Sequence, residues 1–176
     1  VFDPLRAIEA LNACAVDFVV VGGWATLQHG ATRLTQDIDI CPDLTVDNLQ
    51  RLAEALTDLH AGLAVGSDQT VPVPLIDQRL LFQMEIGNWS TDAGRVDILQ
   101  RIPAAAGGQL AYRQLHEKAI EVTDEGQTFL VASLADITAS KRAAGRRKDL
   151  EALPELDRLL AAGADTESGR RDGSGE

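Results

Sequence analysis

Two aspartates one residue apart, Asp37 and Asp39, stand in the run Asp-Ile-Asp-Ile-Cys. Its strict alternation predicts a strand, which sends both carboxylates to one face and leaves Ile38 and Ile40 for a core. Two like charges that close repel unless a cation or a solvated edge separates them. Hard oxygen donors at this spacing suit Mg²⁺, which keeps waters that a phosphate can replace. A solvent-facing edge strand with two ordinary aspartates is the plainer alternative.

Further groups lie within reach of that chemistry. Gly22-Gly23 follows Phe18-Val-Val-Val21. A glycine turn between a strand and a helix lets backbone N–H groups approach a phosphate, although many such pairs are only turns. Arg33 offers a planar fork for phosphate oxygens, or else a surface ion pair. Asp97 sits within the apolar run Arg95-Val-Asp-Ile-Leu99, where an acid needs a partner or a solvated cleft. It either joins Asp37 and Asp39, giving three acids able to hold two metal ions, or pairs with Arg95 or Arg101. Thr35, two residues before Asp37, shares that face if the segment is extended. A phosphate added there would repel a triphosphate; a local hydrogen bond is the simpler role.

The elements that must position these groups can be read from pattern. Asp3 and Pro4 start a helix with Leu5, Ile8, Leu11 and Ala15 on one face. Residues 17–23 form a buried strand and turn, 24–29 a short helix stopped by Gly30, and 37–41 the acid strand. Thr45 opens a helix to His60, and residues 61–75 form a connection punctuated by Gly and Pro. Leu80–Asn88 and Arg95–Leu99 are strands of a hairpin. A loop over 103–108 leads to a helix through Lys118, then short strands at 119–123 and 128–131. Ser133 caps a helix running to Ala144, and a second covers 147–161.

The whole reads as an α+β protein with a small mixed sheet flanked by helices. Residues 1–132 form the core with its N-terminal helix. Residues 133–161 are a C-terminal helical element that completes the site, and the Gly-, Ser- and charge-rich residues 162–176 form a disordered tail.

Composition narrows the partners. The net charge is −11, with 27 acids against 16 bases, which excludes a generic nucleic-acid coat. Aromatics at 4% exclude a stacking platform for single strands. Cys14 and Cys41 have neither metal spacing nor a disulfide framework, which suits a reducing cytoplasm. No apolar run approaches the ~20 residues of a membrane span. Five of the 16 basic residues, Lys141, Arg142, Arg146, Arg147 and Lys148, fall within residues 140–149.

Gly22-Gly23 and Arg33-x-Thr35-x-Asp37-Ile38-Asp39 resemble the signature of the DNA polymerase β-type nucleotidyltransferase superfamily. With Ser140-Lys-Arg-Ala-Ala-Gly-Arg-Arg-Lys-Asp149, the chain more narrowly resembles the AbiEii-type toxins of bacterial toxin–antitoxin systems. The resemblance covers most of residues 15–160. It implies a polymerase β-type core that transfers NMP from a nucleoside triphosphate to an acceptor hydroxyl, the 3′ end of tRNA, and a cognate antitoxin protein as partner. It further implies Mg²⁺ or Mn²⁺ on Asp37, Asp39 and Asp97, and phosphate held by Gly22, Gly23, Arg33 and Thr35. Lys141 would face the triphosphate. Asp149 would orient Lys141 or Arg146, or close the site electrostatically. Arg142, Arg146, Arg147 and Lys148 are the candidate RNA contacts. Two alternatives remain: the same chemistry on a protein hydroxyl or a small molecule such as an aminoglycoside, and a non-catalytic nucleotide-binding module.

Overall fold

The computed structural model describes residues 1–66 and 69–171. The Asp3 side chain accepts the Arg6 N–H at 3.1 Å and starts α1 (Pro4–Ala13), which buries Ala7, Ile8 and Leu11. The strand β1 (Phe18–Val21) is buried along its whole length and runs directly into α2 (Gly22–Gln28). The acid strand β2 (Asp37–Pro42) is followed by α3 (Val46–Asp58), whose Leu49, Leu52 and Leu56 enter the core.

The sheet is mixed, as the alternating patterns imply, but it is not small. Eight strands run in the order β4-β3-β5-β6-β2-β1-β10-β9. They include β5 (Ile86–Thr91), β6 (Gly94–Leu99), β9 (Ile120–Asp124) and β10 (Gln127–Val131). β1 pairs with β10 and β2 with β6 in parallel; the remaining pairs are antiparallel. The extra strands β3 (Gly62–Val65) and β4 (Gln69–Pro72) lie in the stretch expected to be a connection. β4 is exposed at every residue, so it has no buried alternation to reveal it, and Pro72 is tolerated at its end.

Other boundaries also differ from expectation. Leu80–Asn88 is not one strand. Asp77 accepts the Leu80 N–H at 2.8 Å, and this cap starts α4 (Gln78–Gln83) before β5. The apolar run Leu80-Leu81-Phe82 suits either period, so the cap decides. The expected loop at 103–108 is bracketed by a small ladder, β7 (Arg101–Pro103) with β8 (Gln109–Ala111). The helix after it, α5 (Tyr112–His116), ends short of Lys118.

Ser133 caps α6 (Leu134–Ala144) by accepting the Asp136 N–H, and Gly145 ends it at φ 62°. The last helix, α7 (Arg147–Arg171), continues past residue 161, through ten residues expected to be disordered. An anchored helix extends without a new nucleation cost. The rest of that expected tail, residues 172–176, lies outside the described residues.

Candidate active site

The parallel pairing of β2 with β6 sets Asp39 directly beside Asp97, and Asp37 beside Arg95. All four project to one face by the strand period, while Ile38, Ile40, Val96 and Ile98 are buried on the other. Arg95 Nε lies 3.5 Å from Asp97 Oδ1 without hydrogen-bond geometry, and both atoms are buried with no hydrogen-bond partner. The Asp97–Arg95 pairing weighed from the sequence is therefore loose, and it leaves a carboxylate oxygen unsatisfied.

Antiparallel pairing places Val21 opposite Asp39, so the chain leaves β1 beside that carboxylate. Gly22 there adopts φ +69°, and a Cβ at that position would overlap the Asp39 carboxylate. A Cβ on Gly23 would lie 3.0 Å from Thr35 Oγ1. Gly22 is thus required by both conformation and close approach, whereas a Cβ at Gly23 would press only on the Thr35 side chain. Gly22→Ala is expected to cost at least about 1–2 kcal/mol from the left-handed φ alone and to displace Asp39, so both melting temperature and activity fall. Thermal unfolding and a transfer assay check this.

The C-terminal helices complete the cleft. Lys141 Nζ on α6 and Arg146 Nε before α7 both bind the carboxylate of Asp149, at 3.4 and 2.5 Å. The Asp149 side chain is 1% exposed and that of Lys141 16%. The loop before β2 is strapped to α7: Thr32 N–H and Oγ1 both donate to Glu155 Oε1 at 2.9 Å. Arg33 donates to the Lys148 carbonyl and to Glu151, each at 3.2 Å. Ala31, Ala152 and Leu156 form a small second core beneath this strap. Thr35 Oγ1 donates to Asp37 Oδ1, the local hydrogen bond weighed against a modification site.

These groups share one cleft of about 640 Å³. It brings together Gly22, Gly23, Arg33, Thr35, Asp37 and Asp39 with Asp97, Lys141, Arg146, Lys148 and Asp149. Two expected RNA contacts lie outside it. Arg142 is held by both Asp157 oxygens at 2.8 and 2.9 Å, and Arg147 by Glu151 at 2.9 Å. Sequence reasoning missed Asn88, Arg101 and Glu155, which also line the cleft. Glu155 gave no signal, because its partner Thr32 is distant in the chain, and Asn88 gave none because the hairpin's register with Asp97 carries no mark in the sequence. Arg101 continues the alternation of Asp97 and Leu99 and was legible only as a partner for Asp97.

Electrostatics single out the acids. Burial, with the charges of Asp37 and Asp97, pushes Asp39 up to about 7, against a hydrogen bond from the Gly23 backbone and the charge of Lys141. Burial also raises Asp97, opposed by a hydrogen bond from Asn88 and by Arg95. At Asp149, burial acts upward, yet the bonds and charges of Arg146 and Lys141 together hold it below the ordinary range. Beside the acids, burial pushes the Cys41 thiol up to about 12, so it is no nucleophile at neutral pH.

Among the described residues, no three His, Cys, Asp or Glu side chains form a ready-made metal cage. Mg²⁺, however, typically uses one or two carboxylates together with substrate phosphates and water. The donor set fits such an ion: Asp37 and Asp39 share a face, Asp39 is destabilised by like charges, and Asp97 Oδ1 has no hydrogen bond.

Neither a protein-family model nor a curated protein matches the sequence. Solved structures do match the fold. The lincosamide antibiotic adenylyltransferase LnuA, lincomycin-bound, aligns with a TM-score of 0.60 at 15% identity, over 89% of this chain and 95% of that one. The solution structure of the antibiotic-resistance factor ANT(2″)-Ia aligns at 0.54 and 13% identity, over 96% and 93%. Its crystal structure in complex with adenylyl-2″-tobramycin gives 0.52 and 14%, over 93% and 96%. The chain therefore has the α+β fold of nucleotidyltransferases.

Proposed function

We propose that the protein is a metal-dependent nucleotidyltransferase that moves NMP from a nucleoside triphosphate to an acceptor hydroxyl. The observation that carries this reading is the in-register pair Asp39 and Asp97, set in one cleft with the Gly22-Gly23 turn and Lys141. In the reaction the acceptor oxygen bonds to the α-phosphorus while the bond to the pyrophosphate oxygen breaks. Asp97, raised by burial, is suited to take the hydroxyl proton. The Gly22-Gly23 turn brings its backbone within reach of phosphate, with the Gly23 N–H, which also bonds Asp39, tying the phosphate site to the acid strand. Lys141, Arg33 and Arg146 offset charge on the departing pyrophosphate, with Asp149 positioning Lys141 and Arg146. Mg²⁺ or Mn²⁺ bound by Asp37 and Asp39, with Asp97 at a second position, would supply Lewis-acid stabilisation of the phosphoryl oxygens. No side-chain nucleophile is needed.

For the acceptor we propose the 3′ end of tRNA, with the protein acting as a toxin restrained by an antitoxin protein. The similarity of Lys141–Asp149 to the AbiEii-type segment supports this. A small hydroxyl-bearing molecule is the second reading. It is favoured by the carboxylates that already occupy Arg142, Arg146 and Arg147, which leave little free positive surface for RNA. The structural neighbours named for lincosamide and tobramycin chemistry favour it too. Incubation with α-labelled nucleotides plus total tRNA, or plus lincomycin and tobramycin, separates them. Label on tRNA, with growth arrest on expression that Asp37→Ala abolishes, is the expected result. Label only on a small molecule sinks the tRNA reading.

A further inference from the structure

The cleft crosses the sheet from the glycine turn at the end of β1, past Asp39 on β2 and Asp97 on β6, to Ile86 and Asn88 on β5. With strands ~4.8 Å apart, that is about 14 Å from end to end. The phosphate-facing groups gather at the β1 end and on the α6–α7 wall. Beyond Asp97 the lining changes, with Leu99 and Arg101 following along the same wall and Ile86 opposite Leu99 in register.

Of the five cations that line the cleft, Arg33, Lys141 and Arg146 are ion-paired to acids. Lys148 and Arg101, the other two, form no ion pair among the described residues. Lys148 belongs to the α7 wall, where the triphosphate is proposed to lie. Arg101 stands alone on the other side. Its side chain is exposed and, among the described residues, makes one hydrogen bond, Nη1 to Gln109 Oε1 at 3.1 Å, so most of its fork remains open. In a chain with 27 acids, a cleft arginine without an acid is conspicuous. The β7–β8 ladder fixes its backbone by pairing Arg101 with Ala111.

The geometry points to Arg101 as an acceptor-binding residue that takes a phosphate group of an acceptor whose hydroxyl sits at Asp97, with Leu99 and Ile86 against its apolar part. This deepens the nucleotidyl-transfer reading and rests on it. A guanidinium whose backbone is fixed on a strand can bind phosphate bidentately, which a lysine would not reproduce. The phosphate belongs either to the 3′ end of a nucleic acid or to a small phosphorylated alcohol.

The test uses the full chain with Mg²⁺ and a non-hydrolysable ATP analogue, so that the triphosphate end is filled. Cytidylyl-adenosine and glycerol 3-phosphate are then titrated calorimetrically against wild type, Arg101→Gln and Arg101→Lys. At least one probe is expected to bind wild type, with at least about tenfold weaker binding to Arg101→Gln and an intermediate value for Arg101→Lys. Affinity for the ATP analogue should stay within about twofold, because Arg101 lies outside the triphosphate end. The tighter probe identifies the source of the phosphate. The assignment is overturned if neither probe binds wild type, if Arg101→Gln binds both equally well, or if the loss falls on the ATP analogue instead. Failure of wild type to bind non-hydrolysable analogues of all four nucleoside triphosphates would overturn the nucleotidyl-transfer reading separately; the acceptor probes, titrated without them, still judge Arg101.

Discussion

Asp39→Asn should abolish nucleotidyl transfer while making the metal-free protein more stable. The catalytic loss follows from removing a carboxylate beside both the glycine turn and Asp97. Metal-borne charge stabilisation supplies several kcal/mol at the transition state, so loss of one ligand should lower the rate on the order of 10³-fold. The gain in stability follows from the sign of the shift. Asp39 is raised from 3.8 to about 7 in the folded protein. Through that window the folded state keeps a proton that the unfolded chain has released. Metal-free stability therefore falls as pH rises from about 4 to 7 and stays reduced above it. Asparagine keeps the shape without the charge and removes that fall, giving roughly 2–4 kcal/mol at pH 8. Thermal melts of both proteins at pH 4 and pH 8, in chelator, check it: the curves should nearly coincide at the lower pH and separate at the higher. A variant with a lower melting temperature at pH 8 would mean that the Asp39 charge is held by the fold rather than merely tolerated by it.

The second large effect is expected at Asp149. Its carboxylate is almost wholly enclosed and holds Lys141 and Arg146 at once. Asp149→Ala strands the largely buried ammonium of Lys141, whereas Arg146 can turn to water. Breaking one side of a buried pair costs about 3–5 kcal/mol; because Arg146 is exposed, about 2–4 kcal/mol is expected here, a fall of about 5–15 °C in melting temperature. Transfer should fall about 10²-fold, since Lys141 loses its anchor and a small misplacement is expensive in rate. A double-mutant cycle with Lys141→Ala separates the two effects. If Asp149 works by positioning Lys141, the second substitution adds little to the loss of rate. The pH dependence runs opposite to that of Asp39: stability from Asp149 is present above pH ~3.9 and is lost as acid protonates it.

Much of the site could be read from residues 20–40, because its components are local. A β-branched run, two glycines and an Asp-x-Asp alternation each announce a backbone geometry. That Asp97 lies beside Asp39 could only be a supposition, since parallel pairing joins segments 58 residues apart without a local mark. The strap from Thr32 to Glu155 was invisible for the same reason. The basic run at 141–148 misled in a different way. A cluster of charges along the chain suggested a positive surface, but Asp157, Glu151 and Asp149 take up three of its arginines in space. The sheet was larger than expected because an exposed edge strand carries no hydrophobic pattern. Asp77 was the missed signal for α4: a side chain able to cap sits just before an ambiguous apolar run.

The strap between the loop at Ala31–Arg33 and α7 bears on when the protein becomes competent during its own synthesis. The acids and the glycine turn are made early, but Arg33 and Thr35 lie in or next to a loop moored by Glu151 and Glu155. Lys141 likewise waits for Asp149. A chain still growing on the ribosome therefore has a nascent acid cluster but no assembled cleft until residues 147–156 have emerged and docked. That order leaves the cleft-lining groups made early without their opposite wall until the last cleft-forming helix is in place.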